Sequence, residues 1–220
     1  MRINLEDKQM HRKFLFGCIA LLISLTSLTS FGQAERYIAG THYKVLDSAV
    51  RTADADKIEV LEIFWYGCPA CYTFEPILND WVENRDDDVA FVRFPGVFNS
   101  LMKLHAQIYY MSEALGITEQ THDKVFNALV PQRKQLRTES QIVEQFVEFG
   151  VDRDSVEKAF NSFAVKTKTN QAEKLTGDYR PSGTPSMVVN GKYLVSIAGP
   201  VNSQQEMLRV VDFLTEKERN

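Results

Sequence analysis

The chain has 220 residues, of which 44% are hydrophobic and 25% are charged, and its formal net charge is −4. These proportions are typical of a globular protein and exclude a collagen-like, low-complexity or wholly disordered chain. The acidic balance provides no general attraction to nucleic acid phosphates or to anionic membrane surfaces. We therefore expect no nucleic-acid partner.

Residues 1–34 have the layout of a secretory signal peptide. Basic residues at 11–13 precede an uncharged apolar run at 14–25, and a Ser/Thr-rich stretch leads to Ala34. The apolar run has about 12 residues, whereas a membrane-spanning helix needs roughly 20. We predict cleavage after Ala34, with a retained membrane anchor as the weaker alternative. Cleavage there would also remove Cys18.

The remaining chain contains two cysteines, Cys68 and Cys71, in one Cys-x-x-Cys motif. Export to an oxidising compartment allows such a pair to form a disulfide. The alternative is half of a zinc site, but a structural zinc usually needs four Cys or His ligands, and His42, His105 and His122 are scattered singly. The sequence therefore predicts a redox-active disulfide, with no metal and no cofactor.

A strand, a helix and a second strand are predicted around this motif. Residues 57–66 are rich in β-branched and aromatic side chains, which indicates a buried strand ending at Gly67. Apolar residues then recur at helical spacing over 74–82, although Pro76 predicts a kink. Another strand is predicted at 89–94. This spacing is typical of a parallel βαβ unit.

The rest of the chain is helical and then returns to strands. Residues 98–179 show helical patterns, including a capping box at Thr138 and Gln141, and a helix that starts at Asp152 and is predicted to run through Phe163. Two short strands flank Asn190-Gly191, a strong hairpin signal, and a final helix follows Ser203.

This order of elements predicts an α/β protein with a thioredoxin-like fold and an inserted helical domain. The thioredoxin-like domain would comprise residues 35–97 and 180–220, and the helical domain residues 98–179.

Three residues of the predicted site follow from their positions alone. The amides at a helix N-terminus favour negative charge, so the Cys68 thiolate is stabilised and Cys68 is the predicted nucleophile. Cys71 lies deeper in the first turn, where it can close or resolve a disulfide. Glu62 lies inside the apolar strand, where an unpaired charge is costly. Either it is buried and then neutralised, hydrated or partnered, or it points to solvent.

The sequence resembles the DsbA-like thiol–disulfide oxidoreductases of the bacterial envelope. The resemblance is carried by residues 64–72, the helix at 165–174, and residues 183–193. It implies a monomeric periplasmic enzyme that donates a disulfide to reduced, unfolded exported proteins. It also implies reoxidation by a DsbB-like membrane quinone reductase.

The resemblance further implies the roles of three site residues. Pro185 would follow a cis peptide bond and face the dithiol. The backbone of Thr184 would offer hydrogen bonds to an extended substrate segment. Glu62 would assist proton transfer involving the inner cysteine. One or two of the aromatic residues Phe64, Trp65, Tyr66 and Phe74 could line a peptide groove, while the others form core.

Two positions depart from the best-known oxidases. Ala70 stands where they have a histidine that stabilises the thiolate, so we expect a less favoured thiolate. Thr184 also precedes the proline in less oxidising thioredoxin relatives, including isomerases. Three functions therefore remain: a disulfide-donating oxidase, an isomerase or reductase on the same fold, and a non-enzymatic peptide-binding chaperone. The short stretch at 35–56 leaves no room for the dimerisation domain that an isomerase usually needs, which favours the oxidase.

Overall fold

A five-stranded mixed sheet forms the centre of the structure, a computed structural model that describes residues 36–219. The strands are β1 (Lys44–Val45), β2 (Ile58–Phe64), β3 (Val89–Pro95), β4 (Ser186–Val189) and β5 (Tyr193–Ser196). The order across the sheet is β1-β5-β4-β2-β3. Strands β2 and β3 are parallel, and the other neighbouring pairs are antiparallel. The predicted signal peptide lies outside the described residues.

The predicted βαβ unit is confirmed. Strand β2 is almost entirely buried, and it has a hydrogen-bonded neighbour on each edge. In the register between β2 and β3, Glu62 lies opposite Arg93. Helix α1 (Pro69–Asn84) connects the two strands and continues past Pro76. The end of β2 and the start of α1 therefore place the Cys-x-x-Cys motif at the carboxyl end of β2, an interior strand between β4 and β3.

Five helices lie between β3 and β4 and form the predicted helical insertion. The second of them has no counterpart in the sequence prediction: it starts without a side-chain cap at Ile117, so no capping residue marks its beginning. The boundaries of the insertion at residues 98 and 179 stay predictions. The helices are α2 (Ser100–Leu115), α3 (Thr118–Leu129), α4 (Glu139–Glu148), α5 (Arg153–Phe160) and α6 (Phe163–Tyr179).

The prediction of one helix from Asp152 through Phe163 is wrong. Helix α5 ends at Phe160, and Ser162 starts α6 by accepting a hydrogen bond from the Val165 backbone N–H. Phe163 is consequently the first residue of α6, and 86% of its surface is exposed. A new N-cap outweighed the apolar periodicity that had assigned Phe163 to the core.

The hairpin at Asn190-Gly191 is confirmed. Both residues have positive φ angles, 50° and 62°, as the favoured two-residue hairpin turn requires. A Cβ atom at Gly191 would lie 1.9 Å from the Val50 carbonyl oxygen, so the turn has room for glycine alone. The last helix, α7 (Gln204–Arg219), begins after Ser203, whose hydroxyl accepts from the Glu206 backbone N–H.

The dithiol lies at the boundary between the sheet and the helical insertion. Cys68 and Cys71 belong to a buried cluster that joins Phe64 at the end of β2 to Ile108 and Phe126 of the insertion. Two further clusters contain the side chains on the two faces of the sheet. Among the described residues, no helix is long and apolar enough to cross a membrane.

Candidate active site

Cys68 is the N-cap residue of α1. Its sulfur accepts a hydrogen bond from the Cys71 backbone N–H at 3.3 Å, and Pro69 occupies the first helical turn, where its missing N–H costs little. Both cysteines are free thiols in the structure. Cys68 is 8% exposed, whereas Cys71 is fully buried. Solvent and substrate can therefore reach only Cys68.

The two thiols have pKa values shifted in opposite directions. The pKa of Cys68 is lowered to about 6, chiefly by the hydrogen bond with the Cys71 side chain. Burial opposes this lowering. Hydrogen bonds from the Thr184 side chain and from the backbone of Cys71 and Ala70 lower the pKa further. Burial raises the pKa of Cys71, and the hydrogen bond with Cys68 and the nearby Glu62 charge raise it further. At neutral pH Cys68 is thus mostly a thiolate and Cys71 a thiol.

The segment before β4 lies against the dithiol. The Thr184–Pro185 peptide bond is cis, as the resemblance implies. The Cys68 sulfur lies 3.3 Å from the Thr184 carbonyl oxygen, to which the thiol form can donate. Pro185 is buried, and Thr184 is half-buried. The fold thus places Thr184 beside a sulfur that is 116 positions away in the sequence.

Glu62 is fully buried, so the alternative in which it points to solvent is wrong. Its nearest cation is Arg93, whose Nε lies 3.7 Å from Glu62 Oε2. Neither carboxyl oxygen has a hydrogen-bond partner among the described residues. Burial raises the pKa of Glu62 well above its ordinary value; the charge of Glu75 adds to the shift and that of Arg93 opposes it. Glu62 is therefore the group of this cluster best suited to carry a proton.

Glu62 belongs to a buried polar cluster that the sequence alone did not reveal. Its members are Glu62, Glu75, Arg93, His122 and Tyr66. A terminal nitrogen of Arg93 donates to Glu75 Oε2 at 3.0 Å. His122 Nε2 lies 3.3 Å from Glu75 Oε1, and His122 Nδ1 lies 2.9 Å from the Tyr66 hydroxyl. The one available signal was Glu75, a carboxylate at helical spacing beside the apolar stripe of α1.

Burial and these contacts compete at Glu75. Burial acts to raise its pKa, but the hydrogen bond and charge of His122, together with Arg93, outweigh burial and lower it. Of the two acids, Glu75 therefore favours its ionised form and Glu62 its protonated form. Within residues 36–219 there is no group of three or more His, Cys, Asp or Glu side chains arranged to hold a metal ion.

A thioredoxin-like sheet, a thiolate at a helix N-cap, a buried second thiol and a cis-proline beside them define a class of protein: the thioredoxin-fold thiol–disulfide oxidoreductases. Comparison with known proteins identifies the family within that class. A family model described as a DSBA-like thioredoxin domain matches residues 91–209. The chain belongs to the DsbA family of thiol:disulfide interchange proteins.

Two relatives illustrate the extent of the similarity. The thiol:disulfide interchange protein DsbA of Pseudomonas aeruginosa is 39% identical over 208 residues, which cover 94% of this chain and 97% of the relative. DsbA of Azotobacter vinelandii is 40% identical over 216 residues, 95% of this chain and 99% of the relative.

Solved structures agree with this assignment. The crystal structure of Pseudomonas aeruginosa DsbA superposes with a TM-score of 0.80 at 40% identity, covering 84% of this chain and 96% of that structure. Oxidoreductase DsbA from Xylella fastidiosa gives a TM-score of 0.77 at 30% identity, covering 83% and 98% of the two chains. The predicted fold class is therefore confirmed, and so is thiol–disulfide exchange as the activity.

Proposed function

We propose that this protein oxidises pairs of thiols in unfolded exported proteins, using the disulfide between Cys68 and Cys71, and that it does so as a monomer in the periplasm. One observation carries the direction of the reaction: the more accessible sulfur, that of Cys68, caps a helix N-terminus and accepts a hydrogen bond from the Cys71 backbone N–H, which stabilises its thiolate, while Cys71 is fully buried. Family membership supports the activity, and the predicted signal peptide supports the compartment.

The exchange proceeds in two steps. A substrate thiolate attacks Cys68 of the disulfide; the new bond is a mixed disulfide, and Cys71 leaves with the electron pair. A second substrate thiolate then attacks the substrate sulfur of the mixed disulfide, which releases Cys68 as a thiolate. The substrate has gained a disulfide, and the protein has gained two electrons. Cys68 is a good leaving group because its thiolate is stabilised.

Glu62 provides the proton that the first step requires. Cys71 leaves as a thiolate in a buried site, where burial raises the pKa of its thiol. A protonated Glu62 carboxyl beneath the site can supply that proton and recover it when the pair is oxidised again. We assign the binding role to Thr184 and Pro185, since the Thr184 carbonyl oxygen lies 3.3 Å from the Cys68 sulfur.

The stabilised Cys68 thiolate favours the reduced form of the pair and so makes the disulfide an oxidant. Turnover requires a second oxidant, which we assign to a DsbB-like membrane quinone reductase. Thr184 and the missing histidine at Ala70 are the features that suit an isomerase or reductase instead. In this site, hydrogen bonds from Cys71, Thr184 and the backbone stabilise the thiolate without help from a side chain at position 70.

A redox titration against glutathione tests the proposed direction of electron transfer, from substrate thiols to the disulfide of this protein. We expect the pair to be substantially reduced in buffers where reduced and oxidised glutathione are present in comparable amounts. A pair that stays oxidised under a large excess of reduced glutathione would contradict the oxidase proposal. Supplying a scrambled substrate in place of a reduced one separates isomerase from oxidase, and the Cys68→Ser/Cys71→Ser variant provides the inactive control.

A further inference from the structure

One aromatic residue beside the dithiol is not part of the core. Phe64, Tyr66 and Phe74 are at most 1% exposed and fill the interior. Trp65, between the first two in sequence, is half-buried. The structure thus separates the aromatic residues that the sequence left undivided and leaves Trp65 as the one that a substrate can touch.

Trp65 borders the turn that carries the reactive sulfur. Its carbonyl oxygen accepts a hydrogen bond from the Cys68 backbone N–H at 2.9 Å. Its indole lies so close over Gly67 that a Cβ atom there would be 2.4 Å from the ring carbon Cζ2. Because Gly67 has no side chain, the indole forms the surface immediately before Cys68.

A buried histidine fixes this indole in place. Trp65 Nε1 donates to His105 Nδ1 at 2.9 Å, and the two rings are within 19° of coplanar, as an in-plane hydrogen bond requires. His105 Nε2 lies 3.0 Å from the Leu136 carbonyl oxygen. The indole can only donate and the carbonyl can only accept, so His105 is the neutral tautomer with its proton on Nε2.

The neutral state suits the surroundings of His105. His105 lies on α2, and only 2% of its surface is exposed. Its side chain lies between the end of β2 and the loop before α4. Burial lowers its pKa; the Leu136 carbonyl opposes this shift, and the charge of Arg137 favours it. His105 has no contact with the cysteines among the described hydrogen bonds, so its effect on the reaction passes through Trp65.

We propose that the Trp65 indole binds an apolar side chain next to the reacting cysteine of an unfolded substrate, and that His105 is the positioning residue that holds the indole there. The inference rests on the proposed function and adds a specificity to it. Cysteines are among the residues most often buried in folded proteins, so their neighbours in an unfolded chain are often core residues. A segment whose sulfur reaches Cys68 beside Thr184 brings such a neighbour within reach of the indole.

Two reduced peptides test this inference. They are identical except that leucine or serine stands beside the cysteine, and kcat/KM for oxidation is measured with each. We expect the protein to prefer the leucine peptide about fivefold, as partial burial of one aliphatic side chain provides. Trp65→Ala should reduce that ratio to about one. Trp81→Ala is the matched control, since it removes the other indole, which donates to Asp212 on α7 instead.

His105 is tested with the same ratio and with a small thiol. His105→Leu removes the acceptor and should lower the preference as Trp65→Ala does, with the loss in KM and with the rate of reaction with glutathione unchanged. His105→Gln has both an acceptor and a donor and should restore the preference. If His105→Leu does not fold, Trp65→Phe, which keeps an aromatic ring but loses the Nε1 donor, should show an intermediate ratio.

Two results would overturn the inference: a leucine preference that persists in Trp65→Ala, or one that is unchanged in both His105→Leu and Trp65→Phe. Failure of the unmodified protein to oxidise either peptide would instead count against the proposed function. The reaction with glutathione distinguishes these cases because it needs the cysteines but not the indole.

Discussion

The surroundings of Cys68, the outer side of the dithiol, and those of Cys71 and Glu62, its inner side, have opposite effects on the charge of ionisable groups. Both sides are largely removed from water. On the outer side, hydrogen-bond donors from Cys71, Thr184 and the backbone lower the pKa of Cys68 to about 6. On the inner side, burial raises the pKa of both Cys71 and Glu62. Burial therefore does not decide the charge by itself; the donors directed at each group do.

The two buried carboxylates repeat this contrast. Glu75 accepts a 3.0 Å hydrogen bond from Arg93 and lies 3.3 Å from His122, and its pKa is lowered. Glu62 has only the Arg93 Nε at 3.7 Å, and its pKa is raised. One arginine thus serves two acids unequally: Glu75 favours its ionised form and Glu62 its protonated form.

Removing either cysteine gives the largest difference between the two sides. Cys71→Ala should accumulate mixed disulfides, because its Cys68 thiolate can attack a disulfide of an oxidised substrate and no Cys71 thiol is present to displace the bound substrate sulfur, whereas Cys68→Ala should accumulate none. Non-reducing electrophoresis followed by mass spectrometry measures the trapped species. The Cys68→Ala/Cys71→Ala double variant gives the background, and equal trapping by the two single variants would reverse the assignment of the nucleophile.

Breaking the buried ion cluster should cost stability on the inner side. Arg93→Met leaves Glu62 and Glu75 without their shared cation and should lower the free energy of unfolding by about 3 kcal/mol. Urea denaturation measures the change. Lys103→Met is the matched control: its partner Glu173 and the lysine itself are exposed, so its loss should cost at most about 0.5 kcal/mol. Equal losses for the two variants would show that the cluster contributes no more than a surface pair.

The outer side should make the stability of the reduced form depend on pH. The pKa of Cys68 is about 6 in the folded protein, and a thiol in an unfolded chain titrates near pH 8.5. A lowered pKa stabilises the fold fully above about pH 8.5, and this contribution disappears as the pH falls through about 6. At pH 7 it amounts to about 1.4 kcal/mol.

Unfolding of the reduced and oxidised forms between pH 5 and pH 9 checks this expectation. The oxidised form has no titrating thiol and is the internal control. The reduced form should gain stability relative to it as the pH rises from 6 to 8.5. Parallel curves for the two forms would contradict a stabilised Cys68 thiolate.

The smallest expected effect is at Ala70. Replacing it with histidine adds one more donor to a sulfur that already has several, so Ala70→His should lower the pKa of Cys68 by about half a unit, or ~0.7 kcal/mol. Titration of the ultraviolet absorbance of the thiolate measures the shift, with Ala70→Gln as a neutral control of similar bulk. An unchanged titration would show that position 70 does not reach the sulfur.

Local sequence signals determined the outline of this protein. A Cys-x-x-Cys between a strand and a helix, the Asn190-Gly191 turn and the order of elements predicted the fold and the dithiol correctly. These signals act within a few residues, so they can be read without knowledge of the tertiary structure. Glu62 could be singled out too, because a carboxylate in an apolar strand is unusual, but its direction could not be predicted.

Only the tertiary structure decided which distant residues meet at the site. Arg93 on β3, Glu75 on α1 and His122 on α3 meet in one buried cluster, although no spacing along the chain relates them. Likewise, Trp65 lies in an aromatic run with Phe64, and only the packed structure shows that it is half-buried and hydrogen-bonded to His105 on α2. Packing between elements sets the burial of each group, and burial together with the available hydrogen-bond donors sets its charge. Neither the burial nor the charge is encoded locally in the sequence.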